Sequence, residues 1–474
     1  MKPGLLVFMF QKRCRHGARH QDDKRSCSSK NTGAVYPYLA KEQAMNWVME
    51  LGVQGLHALL QLFMHPFYYT GILFILLQYR RQIAFERKLF STKLHSLLSE
   101  TWRTVLWGWI GGIAASVVMA GVGATIDPEA VILIWLISLL LILIRVRFLC
   151  WAYAIGVIGV LQAIVLAVPA LQDSSASWAW FTAPLLAVNM PSMLALIAIL
   201  HLVEAMLIRR QGARFGTPMF FESKRGKIVG GYQLQGFWPV ALFLLVPVQN
   251  GGVGPLPWTP LLGGDLWNSG WTVIGFPVMI GFTEMTMSRL PKEKIKVSSN
   301  WLVLYSAVLL LLAGMTALWP AFTAAACLLC IAMHEALIAY SRWDEAKRAP
   351  LFVHSSKGLK ILGILPGSPA EEMGLVVGEI VHKVNGVPVR TKQELHLAMQ
   401  QNSAFCKLEV LNLAGESKFL KRAVFSGDHH QLGIILAPDQ DALYYAEEKQ
   451  TSIWAYFRRK PAGLNNNKRN SESM

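Results

Sequence analysis

Charge is what this 474-residue chain has least of. Only 16% of its residues are charged, 53% are hydrophobic and mean hydropathy is +0.36, which excludes a soluble globular protein, while the length excludes a single core. Acid is the rarer sign, with 29 Asp and Glu against 45 Lys and Arg. That excess would suggest nucleic acid in a soluble protein, but the basic residues collect in short connections between apolar runs, so no nucleic-acid partner is expected. Cysteine is scarce too. Cys14, Cys27, Cys150, Cys327, Cys330 and Cys406 make no disulfide framework, and the C-x-x-C of Cys327 and Cys330 lies inside an Ala/Leu-rich run as packing residues. Cys14, His16, His20 and Cys27 match no zinc spacing, so no metal and no cofactor is expected. Leu5 to Phe10 is too short for the core of a signal peptide.

Catalytic patterns are missing as well. His334-Glu335 begins an H-E-x-x-H, but the position of the second His is Ile338, and there is no Gly-x-Ser-x-Gly elbow. The loop from Phe221 to Gly231 is Gly-rich and basic but lacks the end of a nucleotide loop; a partner surface or lipid headgroup contact fits it better. His201 and Glu204, three apart on one helical face, read as a pair tying helices together or reaching an interface. The chain is expected not to be an enzyme.

What is present is apolar sequence in nine runs: 55–78, 104–126, 131–144, 148–171, 180–208, 237–248, 271–287, 301–319 and 321–340. Several fall short of the roughly 20 residues a helix needs to cross a bilayer, and 237–248 is read as re-entrant or extended into its flanks. Eight or nine membrane helices are expected, interrupted in the first by Pro66. Arg80, Arg81, Arg87, Lys88, Lys93 and Arg103 follow the first run, Arg145 and Arg147 the third, Arg209, Arg210, Arg214, Lys224, Arg225 and Lys227 the fifth, and Arg289, Lys292, Lys294 and Lys296 the seventh. The intervening connections, 125–130, 172–177 and 249–270, contain no Lys or Arg. By the positive-inside rule the basic connections and the C-terminus are cytoplasmic. Trp102, Trp178, Trp258, Trp267, Trp301 and Trp343 fall near span ends, as interfacial anchors do.

Residues 1–44 contradict that scheme, with nine Lys and Arg against three acids at an end that should be outside. Either Met45 is the true start, or the segment is a disordered basic tail in the cytoplasm and there is one span fewer. The other end, from 439 onward, is a polar, basic tail in which Ile453-Trp454-Ala455-Tyr456-Phe457 precedes Arg458, Arg459 and Lys460; it suits an anionic membrane surface or a plain solvated end.

Between lies a β-rich segment, 350–438. Leu359 to Leu365 reads as a strand, Ser368 caps a short helix with Pro369 at its first position and Glu371 closing the box, and Gly374 takes a left-handed turn. A second strand ends at Asn385-Gly386, a dipeptide tolerant of positive φ. This segment resembles a PDZ domain of the bacterial, circularly permuted type. In that order the ligand-side strand comes last, at His429 to Leu436, with Leu432-Gly433-Ile434 as the carboxylate loop. The helix across the groove starts at Thr391, with Glu394 completing a capping box, and its Leu395 and Met399 are either groove wall or core.

The whole pattern, from His65-Pro66-Phe67-Tyr68 through His201-Leu202-Val203-Glu204-Ala205, Ser223 to Lys227 and Phe237-Trp238-Pro239 to the PDZ segment, resembles the MinJ family of polytopic division-site determinants. The resemblance implies an α-helical polytopic membrane domain at 45–342 followed by a small PDZ domain. It implies an adaptor at septa and poles, between a DivIVA-like coiled-coil protein and a MinD-like membrane ATPase, with membrane lipids around it. A PDZ-regulated intramembrane protease and a transporter with a regulatory PDZ domain are the alternatives. The first lacks its residues, and the second lacks an internal repeat.

Overall fold

The computed structural model describes residues 32–90, 94–173, 177–223, 226–248, 256, 258–263, 267–268, 270–402, 404–423 and 432–438. The basic stretch at 1–31 and the tail from 439 lie outside the described residues, and with them Cys14, His16, His20 and Cys27. The chain divides into two compact units, Met1–Val53 and Gln54–Met474. The first helix, α1 (Thr32–Met64), takes in 32–44, where no helix was expected from periodicity. Once the apolar run after Met45 has nucleated a helix, each further turn costs little.

Pro66 breaks the chain as expected. Helix α2 (Pro66–Phe90) leaves α1 at a bend of 55°. Then come α3 (Leu97–Val122), α4 (Pro128–Ile144), α5 (Trp151–Ala167), α6 (Ala179–Ala187) and α7 (Met190–Gln211). The expected run 180–208 is thus two helices, because Asn189 caps α7 by accepting from the Ser192 N–H and Pro191 starts the new helix. After a sheet follow α8 (Pro291–Leu318) and α9 (Thr323–Lys347). Among the described residues four helices are long and apolar enough to cross a membrane, five if the bent pair is one span, and 130–144 and 151–167 are shorter apolar helices. Helix α7 is the central post: 78% of its apolar window is buried, against 17% in the last helix.

Two of the nine runs, 237–248 and 271–287, are not helical spans. They belong to a long antiparallel hairpin of β2 (Ile228–Pro247) and β3 (Trp271–Thr286), with β1 (Gly216–Glu222) paired to the first part of β2. Twelve residues make a helix of about 18 Å, too short to span, whereas eleven residues as a strand cover about 36 Å. Pro239, Gly236, Gly275 and Pro277, with aromatic and β-branched neighbours, also disfavour helix.

A strand at bilayer depth must have its edges covered. Beyond Leu234, the last residue of β2 that pairs with β1, α3 lies along β2. Gly108 and Gly112 let the backbones meet: a Cβ on Gly108 would be 3.0 Å from the Pro239 carbonyl carbon, and one on Gly112 2.7 Å from that of Ala241. On the same helix Ser116 accepts from the Phe243 N–H at 2.8 Å. Along β3, Gln54 accepts from the Thr272 hydroxyl at 2.9 Å and Gln61 from the Gly275 N–H at 3.4 Å, both from α1. Small residues and amide side chains thus replace the missing neighbouring strands.

At the charged end of the hairpin, Glu345 of α9 accepts from the N–H groups of Met287 and Ser288 at 2.6 and 2.7 Å, and Asp344 pairs with Arg289 and Arg348. The chain then enters a second sheet, ordered β8-β7-β5-β4-β9 with β6 beside β5, from β4 (Leu359–Ile364), β5 (Ile380–Val384), β6 (Val387–Pro388), β7 (Phe405–Leu411), β8 (Ser417–Ala423) and β9 (Ile434–Leu436). Two helices complete it, α10 (Pro369–Glu372) and α11 (Lys392–Gln400). Leu359, Ile361, Val381, Val384, Leu395, Leu408, Val410 and Leu432 are among its buried core.

Candidate functional site

Local signals build the β-rich module much as read. Asn385 (φ 51) and Gly386 (φ 88) turn β5 into β6, and the Asn385 side chain accepts from the Lys407 N–H while donating to the Ala398 carbonyl. Thr391 and Glu394 form the full capping box of α11. Ser368 accepts from the Glu371 N–H, and Gly374 is left-handed at φ 72. One detail differs: the Glu371 carboxylate reaches back to the Gly367 N–H at 2.6 Å, one residue before the cap.

Leu432 (φ 56) and Gly433 (φ 79) are consecutive left-handed residues immediately before β9. A leucine there costs about 1–2 kcal/mol and is held by its surroundings. The Leu432 carbonyl accepts from the Ala370 N–H at 2.9 Å and the Gly433 carbonyl from the Leu365 N–H at 2.8 Å. Both carbonyls are thus turned inward onto the α10 side, and Gly433 presses on Ser368, whose Oγ would be 2.5 Å from an added Cβ.

Strand β9 pairs with β4 on one side, and among the described residues nothing pairs with its other side. Gly433 accepts from Leu365 and Ala437 donates to the Lys360 carbonyl, so the odd-numbered residues bond inward. By alternation, Ile434 and Leu436 turn their main-chain groups to the far edge. Of the residues singled out from sequence, Leu432, Ile434 and Leu395 are all buried in one cluster, with Met399 partly buried against it. Leu397, on the opposite face of α11, is 61% exposed.

The module is seated on the first sheet. Phe352 accepts from the Gly230 N–H at 2.8 Å, Leu351 donates to the Met287 carbonyl at 2.7 Å, and the Tyr232 hydroxyl donates to the Leu362 carbonyl. Ile435 and Ala437 of the last strand join the core of the helical domain, while Ile434 and Leu436 join that of the β-rich module. The strand with the open edge is therefore fixed against the helical part rather than hung from a tether. Nothing in the local sequence signals this seat.

The polar residues of the helices also find partners. His201 turns its Nδ1 to the Ile197 carbonyl at 2.8 Å. Glu335 is held by Arg147 at 3.0 Å and by the Tyr153 hydroxyl at 2.7 Å.

A domain of long apolar helices carrying a β-rich module with an end strand beside a capped helix defines a class: a membrane-type protein with a C-terminal PDZ domain. The PDZ domain family matches over residues 360–411. Over most of its length the chain is similar to the cell division topological determinant MinJ of Bacillus subtilis (strain 168), 28% identical over 401 residues, covering 82% of this chain and 97% of that protein. It is also similar to the probable cell division topological determinants MinJ of Lacticaseibacillus paracasei and Lacticaseibacillus casei (strain BD-II), each 27% identical over 255 residues, 52% of this chain and 66% of theirs. No solved structure matches. The likeness to MinJ thus runs over most of the chain, and none of these relatives is named as an enzyme.

Proposed function

We propose that the protein is a membrane-embedded adaptor for placing the division site, which recruits cytoplasmic proteins through the edge of β9. The observation that carries this reading is that edge: Ile434 and Leu436 turn their backbone groups away from β4, behind a left-handed Leu432-Gly433 turn and within the cluster that holds Leu395 of α11. A peptide added there gains main-chain hydrogen bonds, and the successive N–H groups of 432–434 suit a carboxylate or a turn. The strand order, with β9 last in sequence and beside β4, supports a circularly permuted PDZ domain.

The orientation follows from charge. The hairpin enters and leaves on the same side, so exchanging two helical spans for it keeps every basic connection on one face, the cytoplasmic one by the positive-inside rule. A cytoplasmic module seated on membrane helices suits partners that act at the inner membrane surface. Following the MinJ likeness, these partners are a DivIVA-like polar protein and a MinD-like ATPase.

The test uses the full chain in nanodiscs. Met399→Glu places a charge at the partly buried edge of α11, and Leu397→Glu places one on its exposed face. Affinity for a purified DivIVA-like or MinD-like protein should fall about tenfold in the first, about 1.4 kcal/mol, and hold in the second. Equal affinities in both variants would move recruitment to another surface.

A further inference from the structure

Cys150, His201 and His334 are far apart in sequence, and the fold brings them to one point among α5, α7 and α9. The Cys150 Sγ lies 3.5 Å from the His201 Nε2 and 3.6 Å from the His334 Nε2, and the three atoms lie within 4.8 Å of one another. Sulfur and nitrogen bound to one tetrahedral zinc, at about 2.3 and 2.0–2.1 Å, are separated by about 3.6 Å.

The protons point the same way. The His201 Nδ1 faces only a carbonyl, that of Ile197, so it carries the hydrogen and leaves Nε2 with a lone pair. The Tyr153 hydroxyl gives its proton to Glu335, which Arg147 holds as a carboxylate. Its oxygen therefore accepts from the His334 Nδ1 at 3.0 Å, and the His334 Nε2 also presents a lone pair. Two nitrogen lone pairs thus converge on one sulfur, whose single thiol proton can satisfy only one of them. A cation satisfies all three. The Ile197 carbonyl and the Tyr153–Glu335–Arg147 chain are the outer partners that orient metal-binding imidazoles.

We propose that Cys150, His201 and His334 bind one zinc ion and tie α5, α7 and α9 together. Binding converts the Cys150 thiol to thiolate and releases its proton. Three protein ligands leave a fourth position for water. The Arg147–Glu335 pair beside the site is part-exposed.

The test is metal content of the full-length protein purified in detergent without chelator. The expected result is about one zinc per chain, lowered about tenfold or more in Cys150→Ser and in His334→Gln and unchanged in Cys327→Ser. Replacing zinc by Co²⁺ in the wild type should produce a thiolate-to-metal charge-transfer band in the near ultraviolet with the visible bands of tetrahedral cobalt. This second measurement decides the matter even if the variants do not fold. Folded wild type that holds no stoichiometric zinc and gives no thiolate band overturns the proposal, as does Cys150→Ser that keeps its metal.

Discussion

The replacement of two expected spans by a hairpin makes a sharp prediction at Gly112. An added Cβ there would strike the Ala241 carbonyl oxygen and lie 2.7 and 2.8 Å from the carbon and nitrogen of the same residue. These are backbone atoms that cannot rotate away, so α3 must retreat from β2. Overpacking of this kind costs about 1–3 kcal/mol. Retreat also pulls Ser116 from the Phe243 N–H, and an unsatisfied buried donor adds about 1–3 kcal/mol. Against this, alanine in place of glycine favours a helix by about 0.5–1 kcal/mol. Gly112→Ala should therefore lose about 1–5 kcal/mol. Gly314→Ala, also inside a helix but with open space around its Cβ, should gain about 0.5–1 kcal/mol. Titration of mixed micelles with a denaturing detergent, followed by tryptophan fluorescence, measures both. If the two variants move the midpoint in the same direction, 237–248 does not lie against α3 as a strand.

His95 outside the helices donates to Glu86 at 2.5 Å and faces the Arg214 carbonyl at 3.0 Å, an arrangement that only the doubly protonated ring satisfies; burial opposes the charge, yet Glu86 prevails and the pKa is raised. The stabilisation is complete below the unfolded value and is lost as pH rises through the raised folded one, so the gap in unfolding midpoint between wild type and His95→Gln should shrink with rising pH, and a constant gap contradicts it. Burial pushes the Cys406 thiol up to about 11, so at pH about 8 a maleimide should label it only after the PDZ domain unfolds; rapid native labelling would mean an open domain. Gly433→Glu meets Ser368 at a left-handed backbone position and should lower the unfolding midpoint of the domain as well as partner affinity, whereas loss of affinity alone would place that loop away from α10. A C-terminal fusion to a reporter active only outside the cytoplasm should stay silent; strong activity would reverse the orientation.

The β-rich module was legible because its signals are local: a capping box at Thr391 and Glu394, and a positive-φ pair at Asn385-Gly386, each act within four residues. The hairpin was not, since hydropathy measures burial and is blind to whether an apolar run of twelve residues coils or extends. The signal that could have separated them was Pro239, Gly275 and Pro277 within those runs and Gly236 just before the first, together with the glycines of α3 that only a close neighbour requires. In the candidate site, Leu432-Gly433-Ile434 stood out as a motif, but the seat of β9 on the helical domain depends on Gly230, Tyr232 and Phe352, which are distant in sequence. The meeting of Cys150 with His201 and His334 escaped for the same reason. No spacing rule joins residues on three separate helices.

The central claim is that this protein places partners at the division site through its PDZ edge. The most direct measurement is the position of a fluorescent MinD-like ATPase in cells whose native copy is replaced by Met399→Glu or by Leu397→Glu, each checked for membrane insertion. Partner fluorescence should leave septa and poles, with septa misplaced, in the first and remain as in wild type in the second. An unchanged partner pattern with correctly placed septa in Met399→Glu cells would contradict the account.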